Sequence, residues 1–150
     1  MKKHLAVIIL LANLLSLFSC TEKRDAYALL TEFTTAYAAD GVIYSPVIKE
    51  GYDGYVREGL IERIFIYTGD FPTNYAIFLN SHPDFGSECG VFVCDSADQC
   101  DMITEACLER IDLLGRGRDT CFVKRTGMTV FYSTFSDRER AERLWCEIIR

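Results

Sequence analysis

The stretch Glu88–Gln99, "ECGVFVCDSADQ", changes its hydrophobic period in the middle. Val91, Phe92 and Val93 are consecutive apolar residues, β-branched or aromatic, so the first half reads as a strand that is apolar on both faces, as a central strand is. "SADQ" then supplies a capping box, in which Ser96 accepts from the backbone of a helix start while Gln99 reaches back. Beyond it Cys100, Ile103, Cys107, Ile111 and Leu114 form one apolar stripe, and Gly115 and Gly117 close the helix.

Working outward from this strand–cap–helix unit, "NYAIFLNS" (Asn74–Ser81) reads as a second strand, joined to the first by "HPDFGS". On the other side, Cys121–Arg125 and Met128–Phe135 form a hairpin about a turn at Thr126 and Gly127. "SDRE" (Ser136–Glu139) is a second capping box, followed by a helix carrying Ala141, Leu144, Trp145 and Ile148. Residues 91–110 laid over 130–149 match at Val91/Val130, Phe92/Phe131, Asp98/Asp137 and Cys107/Cys146. The repeated order of strand, cap and helix is firmer than these residue matches.

Upstream, Ala26, Leu29, Leu30, Phe33 and Tyr37 predict a helix over Asp25–Ala39, with Gly41 available as its cap. Pro46, Gly51 and Gly54 mark the following stretch as irregular, loop or short extended pieces. Val56–Tyr67 reads as a second helix, with Val56, Leu60, Ile61, Ile64 and Tyr67 on one side; its β-branched content leaves strand as the alternative. The expected fold is a single α+β domain over 25–150. N-terminal helices precede a ββαββα unit whose four-stranded, mainly antiparallel sheet carries its helices on one face.

Residues 1–19 read differently. Lys2 and Lys3 precede fifteen uncharged residues, Leu5–Ser19. The run is short for a membrane span, which needs about 20 apolar residues, and suits a secretory signal peptide. "LFSC" (Leu17, Phe18, Ser19, Cys20) matches a lipobox, with Leu three before the Cys and a small residue directly before it; Phe18 is the unusual position. The Cys20 thiol then carries a thioether-linked diacylglycerol, and two acyl chains anchor stably where one is marginal. The mature chain is Cys20–Arg150, with 20–24 as a short tether that spans at most ~18 Å when extended. It has 14 Lys+Arg against 22 Asp+Glu, net −8, which argues against a nucleic-acid partner. The excess is uneven: Thr21–Glu109 is net −11 and Arg110–Arg150 net +3.

Three segments, the tyrosine-led "YAIFLN", then "GVFVCDSADQ" and the helix "ITEACLERIDLL", resemble a family of small clostridial lipoproteins known by a domain of unknown function (domain of unknown function 4358). The similarity covers roughly Asp25–Arg150 and is clearest from Tyr75 to Leu114. The resemblance implies an envelope-attached domain. It carries over no catalytic residue.

Six cysteines remain after Cys20: Cys89, Cys94, Cys100, Cys107, Cys121 and Cys146. Cys100 and Cys107 are seven apart on one helix, about 10.5 Å along its axis, too far for a disulfide. Cys89 and Cys94 point to opposite sides of a regular strand. Cys94 with Cys100, or either with Cys121, are the candidate bridges; otherwise the thiols are buried apolar fillers. No C-x-x-C and no phosphate-binding glycine loop is present, so no cofactor or metal is indicated. His82 is the sole His after the signal and sits in a turn, and "DFG" (Asp84–Gly86) lacks the rest of a kinase motif set. Arg140, Arg143 and Arg150 share one side of the last helix, as solvated surface or as a phosphate or membrane contact. Tyr44, Tyr52 and Tyr55, near Glu50 and Asp53, form an aromatic loop suited to sugar or peptide, or one pinned to the core by its own rings.

These readings converge on a non-enzymatic binding or envelope-associated module on the outer face of the cytoplasmic membrane. Its partner would be an envelope protein, peptide or glycan. The alternative is an exported thiol or redox protein using one of the six cysteines. Cys20→Ala is expected to abolish metabolic labelling with a fatty acid and to release or stall the precursor. Unchanged labelling would place the anchor elsewhere.

Overall fold

A computed structural model of the chain describes residues 24–67, 69–81 and 87–150. The expected signal peptide, the lipobox expected at Leu17, Phe18, Ser19 and Cys20, and His82 lie outside the described residues. The elements run α1 (Ala26–Tyr37), β1 (Gly41–Tyr44), α2 (Leu60–Ile64), β2 (Asn74–Asn80), β3 (Glu88–Val93), α3 (Ala97–Leu113), β4 (Phe122–Thr126), β5 (Thr129–Ser133) and α4 (Arg138–Ile148). The fold is α+β, and its second half keeps the expected ββαββα order.

Two features depart from expectation. The sheet has five strands, in the order β1-β2-β3-β5-β4, with every neighbouring pair antiparallel. The added strand β1 comes from a stretch with too few residues to show a period; it is recruited by pairing, Gly41–Tyr44 against Ile77–Asn80. The helices also cover both faces rather than one. Ala76, Phe78, Cys89, Val91 and Phe131 pack with α1 and α4, whereas Tyr75, Ile77, Phe92, Val130 and Tyr132 pack with α2 and α3. All six residues of β3 are buried. A strand with apolar side chains on both faces must have both faces covered, and two helix layers do this.

The repeat is inverted across the sheet. Val91 and Phe131 belong to the α1–α4 layer, while their sequence counterparts Val130 and Phe92 belong to the α2–α3 layer. Equivalent residues of β3 and β5 therefore point to opposite faces, so α3 and α4 pack on opposite sides. This is why the apolar positions of the two helices do not superpose in the sequence.

Local boundaries follow from caps. Asp25 accepts from the Tyr27 N–H at the start of α1. At its end Ala38, not Gly41, takes the left-handed conformation (φ 60°), and Gly41 opens β1. Only Leu60–Ile64 of the expected 56–67 helix is helical; Gly59 at φ 74° precedes it and Phe65 is already extended. The cap of α4 is Asp137, whose carboxylate accepts from the Arg140 N–H at 3.0 Å, rather than Ser136.

Gly90 sets the sheet's central contact. A Cβ there would lie 2.6 Å from Tyr132 Cε1 and 3.2 Å from Phe92 Cε2. Both rings are fully buried and cannot withdraw. Gly90→Ala is expected to destabilise the chain by about 2 kcal/mol through overpacking, read as a lower urea midpoint with an unchanged slope.

Candidate functional site

The loop after β1 is drawn back onto the sheet by its own backbone. Ser45 N–H donates to the Gly54 carbonyl at 3.1 Å, and Ser45 and Tyr55 form a parallel bridge. Ser45 Oγ also donates to the Tyr75 carbonyl on β2 at 2.9 Å. Gly54 makes this closure possible. Its φ is +89°, and a Cβ would lie 2.0 Å from the Ile43 carbonyl oxygen, so no side chain fits. Successive turns, Tyr52 N–H to Lys49 and Tyr55 N–H to Tyr52, then fold residues 49–55 over themselves.

This closure brings Tyr44, Tyr52 and Tyr55 to one cavity of about 850 Å³. Glu50, Asp53, Arg57, Glu58 and Arg63 line it as well. Tyr44 and Tyr55 are half-buried. Tyr52 is 71% exposed, so its ring is not held in the core. The three tyrosines singled out in the sequence are thus gathered in one place. Arg57 and Arg63 add a basic side to the lining, which the apolar stripe of the 56–67 stretch does not signal. The arrangement offers flat apolar ring faces beside both hydrogen-bond donors and carboxylate acceptors.

The cysteines form a different set. All six in the described residues are free thiols, five of them buried and Cys146 half-buried. Cys94, Cys100, Cys107 and Cys121 share the α2–α3 core layer, and Cys89 lies in the other. The Cys121 Sγ lies 3.8 Å from Thr120 Oγ1. Burial pushes Cys89 and Cys107 well above the ordinary thiol range, raises Cys121, and takes Cys94 up to about 12. A nucleophilic thiol needs the opposite shift. Cys146 Sγ accepts from Lys124 Nζ at 3.0 Å. Among the described residues no group of three or more His, Cys, Asp or Glu is arranged to hold a metal ion.

One network had no reading in the sequence. Glu88, 4% exposed, accepts two hydrogen bonds from Arg110 of α3, from Nε and Nη2, both at 2.8 Å. It also accepts from the Tyr132 hydroxyl at 2.9 Å. The paired carboxylate raises the Arg110 guanidinium, and burial followed by the Glu88 charge drives Tyr132 well above the ordinary phenol range. A Glu heading an otherwise apolar strand was the available signal.

The arginines of α4 are partly committed within the fold. Arg140 Nη2 donates to the Tyr37 carbonyl at 3.1 Å, and the guanidinium lies 4.6 Å from the Tyr37 ring centroid. It closes the C-terminus of α1, where exposed carbonyls favour a cation. No protein-family model matches the chain, and no curated protein or solved structure matches it either.

Arg110→Met leaves the buried Glu88 carboxylate without its cation and is expected to cost about 3 kcal/mol, the low end for a broken buried pair because Arg110 is partly exposed. The double variant Glu88→Leu/Arg110→Met should recover much of this loss. Equal and additive losses in urea titrations would mean the pair is not coupled.

Proposed function

We propose that the chain is a lipid-anchored extracytoplasmic binding module with no catalytic role, and that it takes a sugar-bearing envelope ligand at the Tyr44–Tyr52–Tyr55 cavity. The convergence of the three rings on one cavity is the observation that carries the ligand assignment. Tyrosine faces stack on the apolar face of a pyranose ring, and the Glu50, Asp53, Arg57 and Arg63 side chains match its hydroxyl and amide groups. A peptide attached to the glycan would meet the same donors and acceptors.

The anchor and the location rest on "LFSC", on the signal-like Leu5–Ser19 run, and on the resemblance to small clostridial lipoproteins of the domain of unknown function 4358 family. The partners in this reading are the membrane, through the diacylglyceryl group on Cys20, and the envelope glycan, peptide or protein; nucleic acid is disfavoured by the net charge. The exported thiol protein is the weaker reading, because burial holds Cys89, Cys94, Cys107 and Cys121 in the protonated form.

Calorimetric titration of the lipidated full-length protein in detergent with soluble cell-wall glycan fragments tests the reading. Binding is expected, and Tyr52→Ala should weaken it about tenfold without lowering the urea midpoint, since the ring is exposed. Absence of heat with the unaltered protein, or an unchanged affinity in the variant, overturns the assignment.

A further inference from the structure

Cys146 is the one cysteine among the described residues that is not buried, and its sulfur has a cation as its partner. Two elements bring that pair together. Lys124 lies on the edge strand β4, opposite Phe131 of β5. Residues two apart on a strand share a face, so Lys124 is on the same side as Phe122, which packs in the α1–α4 layer. On α4, Trp145 is fully buried and stacks on Phe131 with centroids 4.1 Å apart, which fixes the rotation of the helix over the sheet. Cys146 and Glu142 stand four residues apart on α4 and so share one side of it. Both reach Lys124, whose Nζ donates to Cys146 Sγ at 3.0 Å and to Glu142 Oε1 at 3.3 Å. The cluster is a thiol and a carboxylate joined through one ammonium, and the Lys124 and Glu142 side chains are partly exposed.

We propose that Cys146 and Lys124 form a peroxide-reactive pair, in which hydrogen peroxide oxidises Cys146 and the product condenses with Lys124 into a sulfenamide, a covalent sulfur–nitrogen link between α4 and β4. The reacting form is thiolate and ammonium. The sulfur attacks one peroxide oxygen: the S–O bond forms, the O–O bond breaks, and the Lys124 ammonium gives a proton to the departing hydroxide, which leaves as water. Cys146 is then a sulfenic acid and Lys124 a neutral amine beside it. The amine nitrogen attacks the sulfur: the N–S bond forms, the S–O bond breaks, and the second hydroxide leaves as water with a proton from the nitrogen. The thiol and the amine are oxidised together, the peroxide is reduced to two waters, and the protein becomes lighter by two hydrogens.

Each member of the cluster has its own part. Cys146 sits in the last turn of α4, where the negative end of the helix disfavours an anion, so the charge a reactive thiolate needs beside it comes from Lys124. Glu142 holds the flexible lysine stem, and with it the nitrogen, on the sulfur. Access selects the cysteine. Cys107, which matches Cys146 in the repeat, is fully buried and packs as a filler beneath α3. Lys124 and Cys146 are 22 residues apart, so the link fastens an edge strand to the last helix.

The experiment treats the reduced, folded full-length protein with hydrogen peroxide, quenches it in acid and cleaves it after aromatic residues. Cuts after Phe122 and Phe131 place Lys124 in Val123–Phe131, which holds no cysteine, and a cut after Trp145 places Cys146 in Cys146–Arg150. A link between these two peptides therefore cannot be a disulfide. Expected is the joined pair, lighter by two hydrogens than its parts, separated again by excess thiol, with Cys107 unmodified. Lys124→Arg keeps the cation without the primary amine; it should lose the link and leave a Cys146 sulfenic acid that dimedone traps. Peroxide added in denaturing urea should give no link, because the pair is then apart. An unlinked Cys146, whether unreacted, sulfenic or sulfinic, a disulfide through Cys146, a link retained in Lys124→Arg, or one formed equally in urea overturns the proposal. The peptide map of the unaltered protein decides the matter even if the variant fails to fold. It is also independent of where the protein resides and of what the tyrosine cavity binds.

Discussion

The fold depends on one buried carboxylate. Glu88 stands at the head of β3, the strand at the middle of the sheet, and its carboxylate binds Arg110 near the end of α3 and Tyr132 on β5. Its backbone is equally engaged: the Glu88 N–H donates to Thr134 Oγ1, and its carbonyl accepts from the Thr134 N–H, each at 2.9 Å. A single residue therefore joins the central strand, the strand beside it and the helix covering one face. The charge is tolerated because each oxygen has a donor and the guanidinium fork matches the carboxylate geometry. An ion pair of this kind specifies the placement of α3 more than it adds net stability, because a slid helix would leave the charge unpaired.

Around that anchor the two faces are filled differently. The α1–α4 layer is dominated by large rings: Trp145 stacks on Phe131 with centroids 4.1 Å apart, and Phe33 meets Phe131 edge-on at 4.8 Å. The α2–α3 layer mixes rings with four cysteines. Small residues in this layer let α3 lie close to β4 and β5.

Much of the second half was legible because its signals are local. A capping box between an apolar run and a helical stripe states where a strand ends and a helix begins, and Ser96 and Gln99 behave as those residue types require. Layering was legible in part: the doubly apolar Val91–Phe92–Val93 run implies cover on both faces, which conflicts with a sheet carrying helices on one. β1 was not legible, since four residues with no alternation become a strand only once β2 offers a partner. In the candidate site, the tyrosines could be found by type and proximity in the chain. Arg57 and Arg63 could not, because the sequence does not state that α2 is only one short turn or that its polar side turns toward the loop. The Glu88–Arg110 pair spans 22 residues and is set by how α3 returns over the sheet, which no local pattern encodes.

The sheet order leaves β4 and β1 at the two edges, and neither edge invites a further strand. β4 is five residues long and carries Lys124 and Arg125, and a strand arriving alongside would have to bring its backbone up to those charges. β1 is only four residues long, and the Ser45–Tyr55 bridge occupies the backbone just beyond its end. Copies of the protein brought close together would therefore find little edge backbone to pair with. Colloidal behaviour at high local density is thus set by the same short strands that complete the fold.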